Sequence, residues 1–209
     1  MRRCLHYMSF IILPLLLIFP PVHAYGGKLL QSVRDSFKEI NSLSGEFTQT
    51  TSVRSMDEKF QYSGVFYLLK PEMLRWDYVV GSTDQAYLNG EEMILFQPAQ
   101  RQAFLLKTGN TASGRSPLGL LLEMDDIEKY YKVSEEKDRL VLHPKTPSIV
   151  SQAEMVIREG RFPISEIVLT DSSGNRTTIR IEKIKINPPL KPDKFRFSPP
   201  EGVSVIDRR

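Results

Sequence analysis

Few residues in this chain could do covalent or metal chemistry. The chain has three histidines and one cysteine, and only His143 lies outside the first 24 residues. A zinc site of ordinary composition cannot be assembled from one histidine without cysteine. Asp125-Asp126 lacks the ligand spacing of a calcium loop and reads as a charged turn. A serine hydrolase would show G-x-S-x-G between a strand and a helix. The nearest string, Gly114-Arg115-Ser116-Pro117-Leu118-Gly119, misplaces its second glycine. Ser116 fits better as a helix cap ahead of Pro117. A triad would also have to recruit His143, which sits beside Pro144 at a strand end. No glycine-rich phosphate loop appears. The expectation is a protein that is not an enzyme and carries no cofactor or metal.

What the sequence offers instead is apolar surface. Met8 to Phe19 is almost wholly apolar, follows Arg2 and Arg3, and precedes Val22-His23-Ala24. This is the pattern of a cleaved export signal, residues 1–24, with Tyr25 starting the mature chain. Pro14, Pro20 and Pro21 interrupt the run, and a spanning helix needs about 20 apolar residues. Cys4 lies before the apolar run, so it is misplaced for a lipid-anchored N-terminus and leaves with the signal. The 28 basic and 25 acidic residues become 26 and 25 without Arg2 and Arg3. That near-neutral balance gives no dense basic stripe for a nucleic-acid partner. Residues 25–209 have the length of one domain.

The elements follow from periodicity. Lys28 to Ile40 reads as a helix, with Leu29, Leu30, Val33, Phe37 and Ile40 at helical spacing. Strands are expected at 45–53, 59–70, 73–80, on either side of a type I′ turn at Asn89-Gly90, and at 102–107. Further strands are expected at 130–134, 139–143, 153–158, 163–170 and 176–186, with Phe195-Arg196-Phe197 as a short closing strand. Thr108 to Ser116 reads as a mobile loop. A second helix opens at Ser116-Pro117 and carries Leu118, Leu120, Leu121 and Leu122. Alternation puts Phe60, Tyr62, Gly64, Phe66 and Leu68 on one strand face, and Leu74, Trp76 and Tyr78 on one face of the next. Many short strands and two apolar helices predict an antiparallel sheet curled over a helical lid.

Along the chain come Phe47-Thr48-Gln49, Ser63-Gly64 through Leu69-Lys70-Pro71, Leu74-Arg75-Trp76, Asn89-Gly90 followed by Met93 to Pro98, and Ser116-Pro117-Leu118. The most specific piece is the closing Phe195-Arg196-Phe197-Ser198-Pro199-Pro200-Glu201-Gly202-Val203. In this order the pieces resemble the LolA family of periplasmic lipoprotein carriers. The resemblance implies an α+β fold: an unclosed antiparallel β-barrel of about 11 strands with an α-helical lid over its hydrophobic concave face. It implies a cavity for lipoprotein acyl chains. The sheet would contribute Phe47, Phe66, Leu68, Leu74, Trp76 and Tyr78, and the lid Val33, Phe37, Leu118 and Leu121. Core packing is the competing role for each of them. It also implies loading by an inner-membrane LolCDE-type transporter and delivery to a LolB-type outer-membrane receptor, by a monomer in the periplasm. The family often has an arginine before the proline at Pro71, which latches the lid; here Lys70 stands there, with three donors but no planar fork. It serves as a lid latch or as a solvated strand end. Two other readings remain: a carrier of another envelope lipid, and a lipoprotein- or stress-sensing interaction module.

Overall fold

The computed structural model describes residues 27–107 and 119–209. Twelve strands form one sheet: β1 (Ser42–Val53), β2 (Glu58–Leu69), β3 (Met73–Val80), β4 (Gln85–Asn89), β5 (Glu92–Gln97), β6 (Gln102–Lys107), β7 (Tyr131–Glu136), β8 (Arg139–Pro144), β9 (Val150–Ile157), β10 (Ile164–Asp171), β11 (Arg176–Ile186) and β12 (Ser204–Asp207). The spatial order is β12-β6-β5-β4-β3-β2-β1-β11-β10-β9-β8-β7. Its two ends do not pair with each other, so the barrel is unclosed. Every pairing is antiparallel except β12 with β6. The expected fold class holds, with twelve strands rather than about eleven.

Three helical segments accompany the sheet: α1 (Lys28–Lys38), α2 (Gly119–Leu122) and α3 (Ile127–Tyr130), with a 3-10 turn at Met124–Asp126 before α3. Leu30, Val33, Phe37, Leu120, Leu121, Met124 and Ile127 join Phe47, Phe66, Leu68, Leu74 and Trp76 in one buried cluster. The helical segments thus supply one wall of the core and the concave sheet face supplies the other.

Two local expectations change. Phe195-Arg196-Phe197 is not a strand. Pro192–Phe195 is a 3-10 turn, Phe195 is buried, and the Phe197 ring packs on Tyr87 and Phe96 at 5.5 and 5.0 Å. Tyr87 belongs to the strand face opposite Trp76, so this segment straps the convex side. The closing strand forms later, at β12, past Pro199 and Pro200, which have no N–H for a ladder. The hairpin loop is also shifted by one residue. Asn89 pairs with Glu92, leaving Gly90-Glu91 as the loop, and of the two only Gly90 has positive φ. Glycine at the first central position is the type II′ pattern, not type I′. The loop at 108–116 and the helix start at Ser116-Pro117 lie outside the described residues.

Candidate functional site

The concave face is built from register. Leu68 pairs with Leu74, Phe66 with Trp76, and Gly64 with Tyr78. Phe47 pairs with Gly64 on its other side. These residues therefore share one face of three adjacent strands. The gap at Gly64 is filled by its neighbours. A Cβ there would lie 2.0 Å from the Asp77 carbonyl oxygen and 2.8 Å from the Phe47 ring. That absence lets Phe47 stack on Trp76, ring centroids 3.6 Å apart and planes 25° from parallel. Tyr78 meets the Phe47 ring edge-on at 5.4 Å, and Phe66 lies 6.1 Å from Trp76.

Against this floor sit the lid side chains. Val33, Phe37 and Leu121 are fully buried. The structure thus brings together nine of the ten expected cavity residues; Leu118 falls outside the described residues. Tyr78 is the half-buried member of the nine. Phe60, which shares strand parity with Tyr62 and Phe66, lies toward the open end and is 39% exposed.

Polar contacts from Lys70, Glu135, Asn187 and Arg34 hold the lid segments. The Lys70 ammonium donates to the Phe37 carbonyl oxygen at 2.6 Å and lies 3.4 Å from the Asp125 carboxylate. It also stands 5.7 Å from the Phe37 ring centre. Lys70 thereby touches the end of α1 and the turn before α3 at once. Glu135 accepts from the backbone N–H groups of Leu29 and Leu30 at 3.2 and 2.9 Å. Gly27 precedes the helix and has no side chain to cap these donors, so a strand residue from across the fold does it. At the other end, Asn187 accepts from the N–H groups of Asn41 and Ser42 and donates to the Glu39 carbonyl. Arg34 then pairs with Glu128 at 3.0 Å, linking α1 to α3. Sequence reasoning missed Glu135 and Asn187. Their partners lie more than 100 residues away, and no short-range pattern marks them.

The floor also carries polar groups. The Tyr78 hydroxyl donates to Gln49 Oε1 at 2.9 Å. Gln49 Nε2 donates to Thr51 at 3.2 Å, and Thr51 shares a 3.3 Å contact with Thr177. Burial pushes the Tyr78 phenol above its ordinary range, with Trp76 and Gln49 acting in the opposite direction. The Trp76 indole N–H is buried without a hydrogen-bond partner among the described residues. The Tyr78 oxygen is close enough for the indole N–H to favour its ionised form, but the contact falls outside good hydrogen-bonding geometry. His143, the residue a hydrolase would need, is exposed on β8 opposite Lys132.

Short, separately tied helices thus form a lid over the apolar face of an unclosed half-barrel. Residues 38–198 match the family model described as outer membrane lipoprotein carrier protein LolA. The outer-membrane lipoprotein carrier protein of Dechloromonas aromatica is 30% identical over 209 residues, covering 98% of this chain and 96% of the relative. That of Alkalilimnicola ehrlichii is 27% identical over 173 residues, 82% of this chain and 80% of the relative. A solved LolA superfamily protein from Nitrosomonas europaea superposes with a TM-score of 0.50 at 13% identity, covering 80% of this chain and 97% of that one. An uncharacterized conserved protein from Thermus thermophilus does so with a TM-score of 0.52 at 14% identity, covering 85% and 98%. These two structures share the fold. The chain belongs to the LolA family.

Proposed function

We propose that this protein is a periplasmic chaperone that binds lipoprotein acyl chains between its concave sheet face and its lid. In this reading residues 1–24 are a cleaved signal and residues 25–209 are the carrier domain, acting as a monomer. An inner-membrane LolCDE-type transporter loads it and a LolB-type outer-membrane receptor unloads it. It performs no covalent chemistry on its cargo.

The observation that carries this reading is the lid over the aromatic floor. Phe37 and Leu121 complete the core over Phe47, Phe66 and Trp76, yet they belong to short segments tied down by a few polar contacts. Exposing each buried methylene to water costs about 0.8 kcal/mol, so a chain of ~16 carbons carries on the order of 12 kcal/mol. Acyl chains that replace the lid side chains against the floor recover much of that energy. Apolar attraction is non-directional, so cargo of different length is accepted and release stays possible. Val33, Phe37, Phe47, Phe66, Leu68, Leu74, Trp76, Tyr78, Leu118 and Leu121 contact the chains, and Lys70 holds the lid shut without them.

The test is binding of an environment-sensitive fatty-acid probe to the mature protein, followed by transfer of a labelled lipoprotein to acceptor protein. Saturable binding that changes Trp76 emission supports the reading. A folded sample that binds no probe at micromolar concentration contradicts it.

A further inference from the structure

We propose that Trp76 Nε1 and the Tyr78–Gln49–Thr51–Thr177 hydrogen-bonded chain form a polar collar that recognises the ester carbonyls of a glyceryl diester. The inference rests on the carrier reading and gives the cargo a direction within it.

The concave face is graded along its strands. Phe66 lies level with Trp76, and Leu68 and Leu74 follow toward Lys70, all at 2% exposure or less. Toward the open end come Tyr78 and Gln49, then Thr51 and Thr177, then the exposed ring of Phe60. The collar spans separate strands because Gly64 lies between Phe47 and Tyr78 in the register. With no side chain at Gly64, Tyr78 reaches across β2 to Gln49.

Hydroxyls and an amide could serve packing alone if every donor were paired. Trp76 breaks that condition. It is 3% exposed and its N–H makes no hydrogen bond in good geometry among the described residues, the Tyr78 oxygen beside it being engaged only poorly. An unmade hydrogen bond at a buried donor is costly, and most buried donors avoid it. Hydrocarbon cannot relieve it, because it has no acceptor. An acyl ester can. With its methyl end toward the lid, a fatty chain ends in a carbonyl next to the collar, and the glycerol and peptide leave past Tyr62 and Phe60. The N–H of Trp76 and the hydroxyl of Tyr78 are then donors to that carbonyl. Tyr78 exchanges its bond to Gln49 for one to cargo, which frees the Gln49 carbonyl oxygen for a glycerol or peptide donor.

The experiment compares two synthetic lipopeptides with equal chains, one an S-diacylglyceryl-cysteine peptide and one its dialkyl ether. The chain has a single tryptophan, so one indole proton resonance reports the site. The ester ligand is expected to move that resonance downfield and to bind about five- to tenfold more tightly than the ether. Trp76→Phe should lose most of the ester-over-ether preference, read as the ratio of the two affinities whatever its effect on each, and Tyr78→Phe, which spares the Phe47–Trp76 stack, should lose part of it. A glycerophospholipid with the same chains separates the sources of the ester. A preference shared with the phospholipid assigns the collar to glycerol diesters in general, and one confined to the lipopeptide assigns it to the protein anchor; both support the collar. Equal affinity for ester and ether with an unmoved indole resonance overturns it and leaves the carrier intact. Failure of the folded protein to bind either lipopeptide removes the carrier reading and the collar together.

Discussion

The ammonium of Lys70 lies 2.6 Å from the carbonyl oxygen of Phe37 and 3.4 Å from the carboxylate of Asp125. One side chain at the end of β2 thus engages both covering segments. Its donors reach a helix C-terminus, where a cation is also favoured by the helix dipole. Lys70→Leu removes these contacts without opening the core. We expect the closed lid to lose about 1–2 kcal/mol, seen as roughly tenfold faster amide exchange in α1. The melting temperature should fall only slightly, and cargo should be released sooner. Lys70→Arg should restore protection. Unchanged exchange in the leucine variant would make Lys70 a solvated strand end.

The two ends of α1 are secured by Glu135 on β7 and by Asn187 just past β11. Asn187 has φ 54°, a left-handed conformation that asparagine and glycine tolerate better than alanine. Asn187→Gly therefore removes the hydrogen bonds while keeping the backbone, and Asn187→Ala adds strain. Each should loosen the end of α1 by about 1 kcal/mol or more, with alanine the worse. Glu135→Ala should fray the other end by a similar amount. Hydrogen exchange localised to residues 28–31 or 36–42 reads the two effects separately. Uniform changes along the chain would argue for a general loss of stability instead.

Gly64 is required by contact rather than by its backbone angles. Gly64→Ala would press a methyl group onto the Asp77 carbonyl and the Phe47 ring. Overpacking of this kind costs about 1–3 kcal/mol. A clear drop in melting temperature, with loss of the Phe47–Trp76 stack visible in near-UV circular dichroism, is expected. A variant as stable as the parent would mean that β2 and β3 shift freely, and that the floor is not rigid.

These cases show what the sequence makes legible. Strand parity places Leu74, Trp76 and Tyr78 on the face of Phe66 and Leu68, because a period of two is a local property. The spacing of Val33 and Phe37 likewise marks the buried stripe of α1. The core was readable for that reason. The ties at Glu135 and Asn187 were not, since each depends on tertiary contacts that leave no local pattern. The closing segment misled for a related reason. Phe195 and Phe197 alternate like strand residues, but they alternate against the convex face of the finished sheet, with Pro192 setting a tight turn. The unpaired indole of Trp76 is invisible from sequence, where a tryptophan is only a large apolar residue.

Tyr78 gives the fold an alkaline sensitivity. Burial holds its phenol above the ordinary value of 10.0. The folded state therefore keeps the proton more tightly than the unfolded chain. That contribution is complete below about pH 10 and is lost as pH rises through the raised value. Tyr78→Phe should lose less stability between about pH 8 and about pH 11 than the parent, measured by urea midpoint. Tyr87, also raised mainly by burial, stays in both proteins and contributes the same slope to each. Identical pH dependence in the two would show that Tyr78 ionises without cost to the fold.

The central claim is that acyl chains enter by displacing the lid from the concave face. The only cysteine, Cys4, lies outside residues 25–209, so a pair of cysteines introduced into a chain expressed from Tyr25 can be labelled cleanly. Ser32→Cys lies on the exposed side of α1, and Glu182→Cys lies on an exposed position of β11. Pulsed electron paramagnetic resonance between spin labels at these sites measures the separation of lid and sheet. The account predicts one narrow distance without cargo, and a longer or broader one when a diacyl lipopeptide is bound. A distance distribution unchanged at saturating lipopeptide would contradict it.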